Sequence, residues 1–137
     1  MNELQGALGL VQLQKLDQVI SRQRANKQAI KEGIKDIAGL TFRPHHDPSG
    51  EIATFLLLFL PTKEKTEKFK AAMAENGVTP GVLGYWHFTA NVESWGGSFP
   101  KTEALLGRMI VVEIQAVMSE RRLDQVITAI RKAARIL

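Results

Sequence analysis

The chain has 137 residues, 45% hydrophobic and 23% charged, with 18 basic against 14 acidic side chains and a formal charge of +4. That length supports one domain with a real core, and the lack of cysteine excludes disulfides and cysteine-ligated metal sites. No apolar run approaches the roughly 20 residues of a membrane span. Glu3, Gln5 and Gln12 interrupt the apolar N-terminal stretch, which does not read as a signal peptide. A cytoplasmic protein with no membrane partner is the expectation.

The first predicted element is a long helix over residues 4–37. Asn2 suits an N-cap, and Gln5 stands where a capping-box partner would. Only Gly6, Gly9 and Gly33 weaken the run. Leu4, Leu8 and Val11 form one apolar row, and Leu10, Leu13, Leu16 and Ile20 a second, so this half expects burial on more than one side. Residues 21–28 turn polar almost all round. Ile30, Ile34 and Ile37 then resume a single stripe. A helix wet in the middle and apolar at both ends suits a bridge between two packed bodies.

Ala38 and Gly39 end that helix, and residues 40–43 read as a short strand. Residues 44–50 carry the proline and glycine punctuation of a loop. The unbroken apolar run over residues 54–60 predicts a strand buried on both faces, stopped by Pro61. Thr62 caps a helix running to about residue 76, with Gly77 as its left-handed stop and Phe69 and Met73 facing inward. Residues 78–85 read as a strand that leads into an aromatic loop, residues 85–99. Pro100 opens a short helix, residues 109–114 form another apolar strand, and Ser119 caps the last helix. Leu123, Val126, Ile127, Ile130, Ala134 and Leu137 give that helix its buried stripe. The order predicts an α+β fold of two layers, with helices covering a small, mostly antiparallel sheet. Residues 1–38 form a long bridging and oligomerisation helix, and residues 39–137 the compact remainder.

The basic excess is spread over helix surfaces, through Arg22, Arg24, Lys27, Lys31 and Lys35 in the first helix and Arg121, Arg122, Arg131, Lys132 and Arg135 in the last. Solvated helix faces explain it, and no nucleic-acid motif accompanies it, so no nucleic-acid partner is expected. His45, His46 and Asp47 invite a metal reading. Adjacent residues of an extended chain point to opposite faces, and Asp47 before Pro48 is turn chemistry. A surface loop explains them better, and no metal site is assigned. The loop that follows Gly84 gathers Tyr85, Trp86, His87 and Trp95. Aromatic rings grip the apolar faces of sugars, and His87 and Asn91 have the polar atoms to bond hydroxyls. The alternative is that Trp86 and Phe88 plug the edge of the core while Trp95 anchors the loop. No nucleophile stands out, because cysteine, a Gly-x-Ser-x-Gly turn and a Ser/His/Asp grouping are all missing. Glu113 sits in an apolar strand, where an unpaired carboxylate would be costly. It either points outward or has a partner.

The opening stretch Met-Asn-Glu-Leu-Gln-x-Ala-Leu-Gly-Leu-x-Gln-Leu-x-Lys-Leu-Asp resembles an internal segment of the DegT/StrS sugar aminotransferases, which depend on pyridoxal phosphate. Glu75-Asn76-Gly77-Val78, Phe99-Pro100-x-Thr102-Glu103 and Leu123-Asp124-x-Val126 continue the likeness in order. The resemblance implies the C-terminal small domain of a fold-type I aminotransferase, which closes over the sugar and helps form the dimer. It places Tyr85, Trp86, His87 and Asn91 on the substrate side, and the Trp86-His87-Phe88 grouping looks closest to a subgroup that aminates an eight-carbon keto sugar acid. It also implies that the cofactor-bearing lysine, the phosphate-binding residues and the pyridinium-facing aspartate lie upstream of Met1. Where the family usually shows Pro-x-His, this chain has Glu113 and Gln115. No cofactor is therefore expected on this chain alone, and transamination has no electron sink here.

Two readings follow. In one, the chain is the C-terminal domain of a sugar aminotransferase, contributing substrate closure and dimer contacts without catalysis of its own. In the other, it is a stand-alone oligomerisation or small-ligand-binding module derived from that domain. Both leave an apolar strip, Leu4, Leu8, Leu10, Val11 and Leu13, that a monomer would expose. A homodimer or domain swap through residues 4–20 is expected.

Overall fold

The computed structural model describes residues 2–81 and 97–137. Asn2 starts the chain's first helix, α1 (Glu3–Gln14), with a complete capping box. Its Oδ1 accepts from the Gln5 N–H at 2.9 Å, and the Gln5 Oε1 accepts from the Asn2 N–H at 3.0 Å. The single helix expected over residues 4–37 is in fact two. At Lys15 the backbone N–H turns to the Gln12 carbonyl at 3.1 Å, a tight i→i+3 closure that ends α1. The second helix, α2 (Leu16–Ile34), follows directly. No residue of α1 is buried, so no packing holds the two in line. The helical run also stops at Ile34, three residues early, in i→i+3 turns that carry the chain to Leu40.

Strands β1 (Thr41–Phe42), β2 (Phe55–Phe59) and β3 (Met109–Glu113) form a sheet in the order β1-β2-β3, antiparallel at both joins. The register sets Leu56 opposite Val112 and Leu58 opposite Ile110, and these four face the helices. Leu57 and Val111 alternate to the other face and are buried there too. That is the physical origin of the unbroken apolar run. Of the strand expected over residues 78–85, the described part makes one antiparallel bridge, with the Gly81 N–H donating to the Val111 carbonyl at 2.8 Å.

Thr62 caps α3 (Lys63–Glu75) through its hydroxyl, which accepts from the Lys65 N–H at 3.2 Å. Gly77, at φ +76°, ends it. The Val78 N–H reaches back to the Met73 carbonyl and the Gly77 N–H to the Ala74 carbonyl, the paired bonds of a Schellman stop. The short α4 (Pro100–Gly107) begins at its proline, and Ser119 caps α5 (Glu120–Ala133), which tightens into a 3₁₀ turn, Ala134–Ile136. Phe69 and Met73 of α3, Ile30 and Ile34 of α2, and Val126 and Ile130 of α5 are fully or almost fully buried against the sheet. Ala129 and Ala133, absent from the predicted stripe, join them as small residues that let α5 approach. No helix among the described residues is long and apolar enough to cross a membrane.

Helices α2 and α5 pack tightly at Gly33. A Cβ placed there would lie 2.8 Å from Ile127 Cδ1 and 2.9 Å from its Cγ2. Ile127 is β-branched, and its Cγ2 cannot swing away without a change of rotamer. Gly→Ala inside a helix ordinarily stabilises by up to about 1 kcal/mol. At Gly33 the clash reverses the sign, and Gly33→Ala is expected to destabilise by about 1–3 kcal/mol in urea titrations. A variant more stable than the parent would contradict this packing.

Candidate functional site

The polar middle of α2, expected to be wet, is exposed at Ser21, Arg22, Arg24, Ala25 and Gln28, but it also carries several long-range bonds and buries Lys27. Lys27 is 5% exposed, and its ammonium contacts the Glu51 carboxylate. His45 Nε2 lies 3.1 Å from the same Glu51 oxygen and 3.4 Å from Lys27 Nζ. Arg24 donates from Nε to the Glu51 carbonyl at 2.7 Å and from Nη2 to the Ser49 carbonyl at 2.6 Å. Gln23 and Asn26 donate to the carbonyls of Ile114 and Gln115 at 3.2 and 2.8 Å. The middle of α2 therefore clips the loop before β2 and the chain after β3. The signal was present in the spacing. Ile20, Gln23, Lys27, Ile30 and Ile34 recur at intervals of three and four, so Gln23 and Lys27 continue the buried stripe.

Asp47 organises the clipped loop. Its Oδ1 accepts from the Ser49 hydroxyl at 2.5 Å and from the Ser49 and Gly50 N–H groups, each at 3.0 Å. These bonds, the Ser49 hydroxyl foremost, hold its carboxyl below the usual aspartate range. This is the turn chemistry expected of an aspartate before proline. His45 faces Glu51 and Lys27, and among the described residues no three His, Asp or Glu side chains converge as a metal cluster would require.

Between α2 and this loop lies a cleft. Its inner part, about 240 Å³, is floored by Phe42, Ala53 and Leu57 and walled by Ile52. Its outer part is lined by Arg24, Lys27, Lys31, Arg43, His45 and Glu51. The Lys31 ammonium sits 5.4 Å from the centre of the Phe42 ring, within cation–π range. A second hollow lies at the end of β3, where Glu113, Gln115 and Arg122 line a pocket with Met73 and Val126. Glu113 is exposed, which settles the choice left open for its carboxylate: it points outward.

The remaining predicted site residues separate into two groups. Tyr85, Trp86, His87 and Asn91, with Trp95, lie outside the described residues. Leu4, Leu8, Leu10, Val11 and Leu13 are described, and all are exposed: Leu4 by 77%, Leu10 by 65% and Leu13 by 66%. The two-sided burial expected of this half is not made among the described residues.

The model of the DegT/DnrJ/EryC1/StrS aminotransferase family matches residues 1–131. Among solved structures, the aminotransferase TlmJ from Streptoalloteichus hindustanus superposes with a TM-score of 0.80 at 19% identity, over 93% of this chain and 35% of its own. Helicobacter pylori PseC, an aminotransferase involved in the biosynthesis of pseudoaminic acid, gives 0.81 at 14% identity, over 100% and 38%. Spr1654 from Streptococcus pneumoniae, named a sugar aminotransferase and solved in a PLP form, gives 0.82 at 15% identity, over 99% and 36%. At such identities the likeness is one of fold, and the chain spans little more than a third of the length of these structures.

Because Asp47 has a lowered pKa in the folded chain, its turn contributes stability that is fully present above the ordinary aspartate value of about 3.9. That contribution is lost as the pH falls through the lowered native value. Thermal melts of the parent chain and of Asp47→Ala should differ at neutral pH and converge under acid. A gap that widens on acidification would contradict the assignment.

Proposed function

The chain belongs to the DegT/DnrJ/EryC1/StrS aminotransferase family, and from that membership we propose that it is the C-terminal small domain of a pyridoxal-phosphate-dependent sugar aminotransferase. The observation that carries the proposal is α1. Its five largest apolar side chains face solvent along a helix with no buried residue, in a fold that corresponds to about a third of each related structure. An apolar strip of this kind marks an interaction surface. In the parent enzyme it packs against the upstream cofactor domain or the partner subunit. In the separate chain it is covered by a second copy.

We infer that pyridoxal phosphate is held by the cofactor domain of the parent enzyme, as the family resemblance implies. The cofactor needs a lysine amine free to form a Schiff base. Lys27, the buried lysine among the described residues, is tied to Glu51 and His45 instead. The role left to this domain is to close over the keto-sugar or sugar nucleotide. Tyr85 and Trp86 stack on the sugar and His87 and Asn91 bond its hydroxyls, as the family resemblance implies. Catalysis belongs to the whole enzyme, whose cytoplasmic setting is part of the same proposal.

Light scattering tests the surface assignment. The purified chain is expected as a dimer, and Leu8→Lys with Val11→Lys should reduce it to a monomer with an unchanged circular dichroism signature beyond α1. An assembly size insensitive to that double change would rule out α1 as the interface. Incubated with pyridoxal phosphate, the chain alone should give no aldimine absorbance, and a clear aldimine band would overturn the reading that the cofactor is held elsewhere.

A further inference from the structure

The cleft between α2 and the loop before β2 is strongly cationic. Arg24, Lys27, Lys31 and Arg43 line it with Glu51 as the one carboxylate of the lining, while Asp47 lies near enough to Arg24 to be lowered by its charge. Two of these cations have internal work. Lys27 answers the Glu51 carboxylate, and Arg24 holds the Ser49 and Glu51 carbonyls. Lys31 and Arg43 are different. Among the described residues neither has a carboxylate partner, yet both line the inner and the outer part of the cleft. Lys31 is also fixed in direction, because its ammonium lies over the Phe42 ring. Beside them Ile52 is 57% exposed and supplies an apolar wall.

We propose that this cleft is a binding site for the phosphate or diphosphate group of a small molecule, seated between Lys31 and Arg43 with its apolar part against Ile52. The charge decides the ligand class. A phosphate monoester carries about −1.5 to −2 at neutral pH, which matches the two cations Lys31 and Arg43, whereas one carboxylate brings a single charge. Arg43 offers the planar fork that matches phosphate oxygens, and Lys31 a compact point charge. Lys27 is what makes the site possible, since an unanswered Glu51 would repel any anion. The proposal does not depend on the aminotransferase reading, because the residues belong to this chain and the test needs no turnover.

The test is a calorimetric titration of the 137-residue chain with inorganic pyrophosphate, in a phosphate-free buffer of low ionic strength. Saturable binding is expected, weakened by about tenfold or more in Lys31→Glu with Arg43→Glu. Lys132→Glu with Arg135→Glu makes the same charge change outside the cleft and should leave affinity nearly unaltered. If the reversed-charge cleft variant fails to fold, Lys31→Met with Arg43→Met asks the same question without added acid. No saturation, or equal weakening by both charge pairs, would overturn the site. Citrate binding as tightly as pyrophosphate would overturn the phosphate assignment.

Discussion

Helices α2 and α5 meet where one of them has no side chain, and the arrangement of the other elements depends on that contact. Because Gly33 presents bare backbone to Ile127, the Gly33 carbonyl stays within reach of α5, and Arg131 Nε donates to it at 2.7 Å. The same guanidinium then forks onto Asp36 just past the end of α2, and it holds that carboxyl below the usual range. With its C-terminal half fixed in this way, α2 lays Ile30 and Ile34 into the core. Its middle is carried past the end of β3, where Gln23 and Asn26 find the Ile114 and Gln115 carbonyls. A glycine that sequence reading treats as a weak point in a helix is the condition for the whole helical layer.

The second constraint is a buried cation. Taking Lys27 out of water costs several kcal/mol before its partners are counted. Glu51, with His45 alongside, offsets that cost only if the loop from Phe42 to Phe55 folds back over α2. Arg24 holds the same loop through backbone carbonyls, and Asp47 sets its tightest turn. A segment rich in proline, histidine and glycine thus becomes a defined wall, and the cleft exists because that wall stands beside α2.

Much of this was legible beforehand, for local reasons. Asn2, Thr62 and Ser119 each cap the helix they were expected to cap, since capping is decided within three residues. The Gly77 stop, the central strand and the last helix follow from equally local rules. The errors arose where distant partners decide the outcome. Five of residues 21–28 are exposed, as their polarity suggests, but Gln23 bonds a carbonyl 91 positions away and Asn26 one 89 away, which polarity alone does not reveal. The interruption at Lys15 has no proline or glycine at its own position to announce it, and the early end at Ile34 falls one residue after Gly33 and five before Gly39. Of the site residues, Leu4, Leu8, Leu10, Val11 and Leu13 were recognisable as an apolar strip on two faces of one helix, and in the structure they are exposed. The aromatic residues Tyr85 to Asn91 rest on composition and resemblance alone.

The interruption at Lys15 gives α1 a thermodynamic character of its own. It is a helix of 12 residues with no buried side chain, and an isolated helix shorter than about 12–15 residues is marginal in water even when its sequence favours the state. The capping box ties down its first turn, but among the described residues none buries a side chain of the rest. A surface that covered Leu4, Leu8 and Leu13 would therefore also hold this segment in its helical state. Its affinity would be lowered by the entropy of that ordering, while its selectivity would rise, because only a surface that accepts the helical arrangement of all these side chains would recover the loss.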